Sequence, residues 1–292
     1  MSTELPVRFV EQQDWLEPVE TGVQKAVAAT FHSAGKTGRQ IQNALHGTWL
    51  GHPLHPVLTD VPLGAWTATL VLDAMEACGR NDCRTGADVT LKLGLAGAGC
   101  AALAGLTDWH VTDGKARRVG IFHGMLNLVS VGLYAASWMA RSRRNRSAGR
   151  GLAFAGFAVS SAAAYLGGSL VYGKQIGVNH TGAEELPAKW TPVMNDEDLR
   201  EDKPQRATVK GTSILLLRRA DRIYCIAEVC SHLGGPLAEG QINGETVTCP
   251  WHGSCFSLKD GSVIDGPAVH PQPSFQTRVH FGRIEVKSKD QE

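Results

Sequence analysis

The chain has 292 residues, with 29 lysines and arginines against 28 aspartates and glutamates, and a formal net charge of +1. This length has room for about two domains, and the balanced charge gives no reason to expect a nucleic-acid surface or an acidic partner. The seven cysteines are scattered along the chain, which argues against a disulfide framework and agrees with a reducing compartment.

Residues 1–56 are predicted to form a polar and amphipathic N-terminal arm. Helices are expected near residues 19–31 and 37–45, where apolar side chains recur at helical spacing. The acidic residues Glu11 and Asp14 and the lack of an apolar run are unlike a secretory or twin-arginine signal. No catalytic motif is visible in this arm.

Four apolar segments follow, at residues 57–77, 89–107, 119–139 and 152–172. Each has about 20 residues, enough at about 1.5 Å per residue to cross a hydrocarbon core of about 30 Å. Small residues that let helices approach closely in lipid recur at spacing four in the last segment; they are Gly156, Ser160, Ala164 and Gly168. A four-helix transmembrane bundle over residues 57–173 is therefore expected, and a buried soluble bundle is the alternative.

The same half carries the run Leu-His-Gly-Thr-Trp-Leu-Gly-His-Pro-Leu-His from Leu45 to His55, and the pair Asp108-Trp109. Through these residues it resembles an uncharacterised family of four-span bacterial membrane proteins. The resemblance supports the topology and implies no activity.

Seven histidines are expected on one side of the membrane, because an even number of spans returns the chain to the side on which it began. They are His32, His46, His52, His55, His110, His123 and His180. They could cap helix ends and hydrogen-bond one another. Alternatively, they could hold a metal or haem b, with His123 and either His52 or His55 as ligands, because imidazole is a usual haem ligand and bundles often contain cofactors.

Residues 174–190 contain glycine, proline and polar residues and are predicted to be a linker. From residue 191 to 292 short apolar alternations are separated by turn residues, which predicts a small all-β antiparallel sandwich. The expected fold therefore has two domains, an all-α membrane bundle followed by an all-β domain. Cys225 is expected in the core of the sandwich.

Two pairs of metal-ligand residues lie in the all-β part, Cys230-Ser-His232 and Cys249-Pro-Trp-His252. Two cysteines and two histidines can hold a 2Fe-2S cluster or a zinc ion. Zinc fingers place a cysteine pair first and a histidine pair second, whereas each pair here mixes one of each. The glycines and prolines that follow can form tight turns and bring both loops to one cluster.

This pattern resembles the Rieske 2Fe-2S domain, from about Thr191 to Val286. The Gly-Pro-Leu that follows the first pair and the turn from Asp265 to Ala268 also match. The resemblance implies that Cys230 and Cys249 bind the buried iron and that His232 and His252 bind the outer iron. It also implies that Pro267 covers the cluster and that Ser254 supports it. Cys255 is expected beside the cluster without a ligand role.

Two departures distinguish this domain from the high-potential respiratory subtype. The extra cysteine of each loop, which forms a disulfide in that subtype, is replaced near Gly235 and at Trp251. A tyrosine that donates to a ligand sulfur is replaced by Phe256, although Ser254 is kept. Fewer donors to sulfur lower the reduction potential, so the site resembles the ferredoxin type, at the low end of roughly −150 to +300 mV.

These features favour a membrane-anchored one-electron carrier that works with a reductase or acceptor protein, or with a cofactor in the membrane half. The alternative is a membrane redox sensor or assembly factor. A terminal oxygenase is disfavoured because little chain follows His252 for a second iron site. The arginine-rich run of residues 141–150 would place that loop in the cytoplasm, yet cluster loading favours a Rieske domain that faces the cytoplasm.

Overall fold

The computed structural model describes residues 5–182 and 186–289. It has two compact units, one of Met1–Gly38 and Pro53–Ile176 and one of Arg39–His52 and Gly177–Glu292. The sequence analysis treated residues 1–56 as one arm. The contacts instead divide this arm, and its segment Arg39–His52 is part of the second unit.

The described helices are α1 (Leu5–Glu11), α2 (Glu17–Ser33), α3 (Gly35–His46), α4 (Leu54–Ala77), α5 (Arg84–Trp109), α6 (Gly114–Ser142) and α7 (Arg146–Gly168). A π-helical turn, Ser169–Gly173, continues α7. Helix α4 begins after Pro53, whose extended backbone precedes the first turn, and it ends before Gly79, which has a positive φ of 98°. Glycine favours this left-handed conformation, which terminates a helix.

Among the described residues, three helical segments are long and apolar enough to cross a membrane: Asn81–Trp109, Gly114–Ser142 and Arg146–Gly173. They correspond to the second, third and fourth predicted spans. Helix α4, the first predicted span, has 24 residues but does not reach the same apolarity. The acidic residues Asp60, Asp73 and Glu76 account for this difference, because charged side chains lower the mean hydropathy of the segment.

Helices α4 to α7 form a closed ring of neighbours. Helix α4 packs along α5 and α6 packs along α7, while α5 contacts α6 and α7 contacts α4. Short connections between successive helices are typical of an up-and-down bundle. The first unit is therefore a four-helix bundle, to which α1 and α2 add contacts with α6.

The two hairpins of the bundle, α4–α5 and α6–α7, repeat the same interlocking contacts. The interval from His55 to Trp66 equals that from His123 to Tyr134. The Trp66 and Tyr134 rings stack with their centroids 4.0 Å apart. Each of these four side chains faces a glycine of the following helix, where a Cβ atom would come within 3.1 Å of the ring; in the order His55, Trp66, His123 and Tyr134, these glycines are Gly105, Gly94, Gly167 and Gly156. The missing side chains thus allow the helices of each hairpin to pack closely.

A cluster of buried charges holds the end of the bundle that is remote from these histidines. Arg141 donates to Asp73 and to Asp88, and only 2% of its side chain is exposed. Glu76 is similarly buried and pairs with three arginines, Arg84, Arg146 and Arg150. The acidic residues that reduce the apolarity of α4 are therefore largely neutralised within the bundle.

The described part of the second unit contains ten short strands: β1 (Thr191–Asn195), β2 (Gln205–Val209), β3 (Thr212–Arg219), β4 (Arg222–Ala227), β5 (Gln241–Asn243), β6 (Thr246–Thr248), β7 (Cys255–Ser257), β8 (Val263–Asp265), β9 (Phe275–His280) and β10 (Arg283–Ser288). They form three antiparallel sheets with the strand orders β1-β10-β9, β2-β3-β4 and β5-β6-β7-β8. The predicted small all-β antiparallel domain is confirmed.

Strand β3 connects the two apolar cores of this unit. Leu215 and Leu217 lie in the core with Phe256, whereas Ile214 and Leu216 lie in the core with Cys225. Alternate residues of a strand point to opposite faces, so a continuous apolar run is needed to fill both cores. Cys225 is 2% exposed, as expected of a core residue, and burial raises the pKa of its thiol.

Candidate metal centre

Two loops of the same design carry the predicted ligands. The first cysteine loop, residues 230–235, follows β4, and the second cysteine loop, residues 249–254, joins β6 to β7. In each loop the residue four positions after the cysteine is a glycine with positive φ, 78° at Gly234 and 77° at Gly253. The N–H of each glycine donates back to the carbonyl of the cysteine, at 2.9 and 3.1 Å. Glycine is suited to this conformation, so both loops curl in the same way.

Gly235 allows the two loops to approach each other. A Cβ atom at this position would lie 2.7 Å from the Sγ atom of Cys249 and 3.2 Å from the ring of Trp251. Its carbonyl also accepts from the N–H of Cys230 at 2.8 Å. The sequence analysis expected the glycines and prolines after each pair to bring the two loops together, and Gly235 lies at this close approach.

The two thiols predicted as ligands lie together in the core. Cys230 and Cys249 are 1% and 3% exposed and share a hydrogen bond. This bond lowers the pKa of the Cys249 thiol to about 6, while the same bond, together with burial, raises that of Cys230. Backbone N–H groups of His232 and Leu233 donate to the first sulfur, and those of Trp251 and His252 donate to the second. Such donors stabilise negative charge on sulfur.

The two imidazoles predicted as ligands form a second pair. The ring centroids of His232 and His252 are 5.1 Å apart, with an angle of 83° between the ring planes. The Nδ1 atom of His232 is buried and has no hydrogen-bond partner among the described residues. Burial, with smaller contributions from His252, His46 and His180, lowers the pKa of His232 to about 3. A neutral imidazole with a free nitrogen is the form that binds a metal.

This donor set fits a dinuclear cluster. The thiols are adjacent to one another and so are the imidazoles, which gives one pair for each iron. A structural zinc ion instead requires four ligands around one point. Within the described residues, no three cysteine, histidine, aspartate or glutamate side chains converge as a single ion would require. A bound 2Fe-2S cluster would also satisfy the buried Nδ1 atom of His232.

The proline turn, residues 265–268, packs against the second cysteine loop. Ser254 is fully buried, and its Oγ atom accepts from the N–H of Ala268 at 3.0 Å, which joins the second cysteine loop to the turn. The Gly266–Pro267 peptide bond is cis. Phe256 is fully buried on β7 and offers no hydroxyl group. Ser254 therefore joins the second cysteine loop to the turn, and the roles of Ser254 and Pro267 at a cluster stay predictions.

Comparison with known families agrees with this geometry. Residues 189–276 match the family model described as the Rieske [2Fe-2S] domain. This part of the chain is a Rieske domain. Residues 51–180 match a second model, described as Predicted membrane protein (DUF2231). In the structure the Rieske domain extends beyond the matched residues, because β10 pairs with both β1 and β9.

The curated relatives match the Rieske domain over about a third of the chain. Apoptosis-inducing factor 3 of Homo sapiens is 26% identical over 99 residues, which are 34% of this chain and 16% of that protein. The anthranilate 1,2-dioxygenase ferredoxin subunit of Burkholderia cepacia is 26% identical over 103 residues, 35% of this chain and 95% of that protein. The solved ferredoxin of carbazole 1,9a-dioxygenase from Nocardioides aromaticivorans IC177 is 26% identical, with a TM-score of 0.33, over 35% of this chain and 99% of that chain.

The histidines proposed as haem ligands are in different places. His52 belongs to the unit of the Rieske domain, whereas His55 and His123 belong to the helical bundle. The rings of His55 and His123 are 6.5 Å apart, and each Nδ1 atom contacts a backbone carbonyl oxygen, of Ala101 at 2.8 Å and of Ala163 at 2.7 Å.

The second nitrogen of His123 is also engaged. Its Nε2 atom lies 3.1 Å from the Nδ2 atom of Asn127, which can donate to it. Hydrogen bonding therefore accounts for both nitrogens of His123, in agreement with the first alternative of the sequence analysis. Neither the structure nor the comparisons support haem b.

Proposed function

We propose that this protein is a membrane-anchored one-electron carrier whose Rieske-type 2Fe-2S cluster is held by Cys230, His232, Cys249 and His252. The main support is the buried Nδ1 atom of His232, which has no hydrogen-bond partner in the described structure and belongs to a ring that lies beside that of His252. When bound, the cluster supplies reversible one-electron redox chemistry. The protein residues hold it, shield it from water and set its potential.

The histidine pair is the proposed route for electrons. The thiols are almost fully buried, whereas His252 is half-buried and the adjacent Trp251 is 58% exposed. An electron would therefore reach or leave the outer iron through the imidazole edge. The ferredoxin relatives carry dioxygenase names, so a reductase or an oxygenase-type acceptor protein is the proposed class of redox partner. A pull-down with the reduced protein would identify this partner.

The proposed reduction potential is at the low end of the Rieske range. Backbone donors to both cysteine sulfurs are present, but Phe256 cannot donate where a tyrosine hydroxyl would. The reduced cluster is more negative than the oxidised one, and each additional donor to sulfur favours the reduced form. The loss of this donor therefore lowers the potential.

The helical bundle is the proposed membrane anchor. Helix α4 is proposed as a fourth span beside the three apolar ones, because Asp73 and Glu76 are buried and paired with arginines. Four spans would place the N-terminal arm and the Rieske domain on the same side, which we take to be the cytoplasm because clusters are loaded there. A membrane-impermeant thiol reagent should label Cys255 of permeabilised cells only. Equally fast labelling in intact cells would reverse this orientation.

Spectroscopy of the full-length protein tests the ligands. Dithionite reduction should produce the electron paramagnetic resonance (EPR) signal of a histidine-ligated 2Fe-2S cluster. His232→Ala and His252→Ala each remove an iron ligand and should abolish or convert the signal. His270→Ala is a matched control. The Oγ atom of Ser231 donates to the backbone carbonyl of His270, and the substitution keeps this carbonyl. A zinc-containing protein without a signal would refute the proposal, as would loss of the signal in His270→Ala alone.

A further inference from the structure

A segment from the N-terminal part of the chain forms part of the Rieske unit. Residues 39–52 comprise the last two turns of α3 and the connection that follows. They are separated by more than 200 residues from the proline turn, with which the side chain of Asn43 makes two hydrogen bonds. Its Nδ2 atom donates to Asp265 at 2.8 Å, and its Oδ1 atom accepts from the N–H of Gly266 at 3.0 Å.

These two bonds use both the donor and the acceptor of the Asn43 side-chain amide. The carboxylate of Asp265 can only accept and the N–H of Gly266 can only donate. A residue that satisfies both must therefore present a donor and an acceptor side by side, as Asn43 does. Arg39 adds an ion pair with Asp265 at 3.5 Å, but its side chain is 68% exposed. Exposed pairs of this kind contribute little, so Asn43 is the principal contact.

Close packing accompanies these bonds. A Cβ atom at Gly266 would lie 3.1 Å from the Cδ2 atom of His46 and 3.3 Å from the Cγ2 atom of Thr48. Thr48 donates through its Oγ1 atom to the carbonyl of Asn43 at 3.1 Å, which keeps the connection folded against α3. Gly47, which has a φ of 87°, directly follows the last residue of α3. The segment thus fits closely against the backbone of the proline turn.

His46 of the segment is also buried, with 1% of its surface exposed. The structure therefore places residues of the segment on the proline turn. This side of the Rieske domain is covered by the protein's own chain.

We propose that residues 39–52 are a built-in part of the cluster site, and that Asn43 is a positioning residue that holds the proline turn closed over the cluster. The proposal rests on the proposed function in that it requires a cluster beneath the turn. Without Asn43, the N–H of Gly266 and the carboxylate of Asp265 would form hydrogen bonds with water instead. The turn would then open more often and expose the cluster.

Full-length variants in detergent test this role. Asn43→Leu removes both hydrogen bonds at nearly constant size, and Asn43→Asp places a second carboxylate against Asp265. Asn43→Leu should lose cluster absorbance in the presence of a chelator about 25-fold faster than the wild type, because each of the two lost hydrogen bonds contributes about a factor of five. Asn43→Asp should also lose it faster, because the bond to Asp265 is replaced by repulsion. Lys36→Ala is the matched control, because Lys36 is exposed on the same helix and precedes the segment; it should behave as the wild type.

A charge-swapped double variant separates positioning from general damage. In Asn43→Asp with Asp265→Asn, the carboxylate at position 43 can accept from both the amide at position 265 and the N–H of Gly266. The bond between positions 43 and 265 is restored with donor and acceptor exchanged, and the bond from the N–H of Gly266 keeps its direction. The double variant should therefore regain most of the lifetime that Asn43→Asp lost, which a misfolded single variant would not predict.

Hydrogen exchange gives a readout that is independent of the cluster. Amides of residues 39–52 and of the proline turn should exchange faster together in Asn43→Asp and recover together in the double variant. A wild type without a Rieske EPR signal would refute the proposed function. A wild type with the signal, whose cluster lifetime and exchange are unchanged in Asn43→Leu and Asn43→Asp, would refute the role of the segment alone.

Discussion

Replacement of Gly235 by alanine should separate the two cysteine loops and weaken the cluster site. The added Cβ atom would lie 2.7 Å from the Sγ atom of Cys249, whereas nonbonded carbon contacts are optimal at about 3.5–4.0 Å. The loops would have to separate by about 1 Å. Because the thiols are buried in a packed core, relaxation is limited and overpacking of this kind typically costs about 1–3 kcal/mol.

This cost should appear in cluster retention. A loss of about 1–3 kcal/mol corresponds to a weakening of about 5- to 150-fold in the equilibrium that holds the loops together. Iron and acid-labile sulfide per protein should fall in purified Gly235→Ala, and the remaining cluster should bleach faster. Gly182→Ala is a suitable control in the same unit, because its Cβ atom would make an ordinary contact, 3.4 Å from Asn179. Full iron content and an unchanged bleaching rate in Gly235→Ala would show that the close approach of the loops does not affect cluster retention.

Two further substitutions test the potential and the bundle. Phe256→Tyr would offer a hydroxyl donor towards the cysteine sulfurs and should raise the midpoint potential measured by redox titration, so a lower midpoint at full iron content would contradict this reasoning. Asp73→Asn leaves Arg141, with 2% of its side chain exposed, without its main counter-charge. The thermal midpoint in detergent should fall, since breaking such a pair costs about 3–5 kcal/mol. Asp82→Asn, in the exposed pair with Arg80, should change it little, and equal effects of the two variants would refute the importance of burial.

Local patterns in the sequence determined the Rieske domain. The proposed ligands could be named from the sequence because each cysteine and its histidine lie within one short loop, where glycine and proline restrict the backbone. Likewise, the strands followed from alternation, and the apolar length of α5, α6 and α7 predicted helices that can cross a membrane. Each of these features depends on residues that are close in the chain, so the spacing of those residues is enough to predict it.

Only the tertiary structure decided which distant residues meet. Nothing in the spacing around Asn43 indicates that its amide bonds Asp265 and Gly266, and the amphipathic pattern of α3 predicted a helix without a partner. The sequence also did not indicate that His52 and His55 belong to different units, because they are only three residues apart in the chain. Such contacts arise from packing and hydrogen bonding between remote segments, whose free energy depends on three-dimensional shape rather than on sequence periodicity.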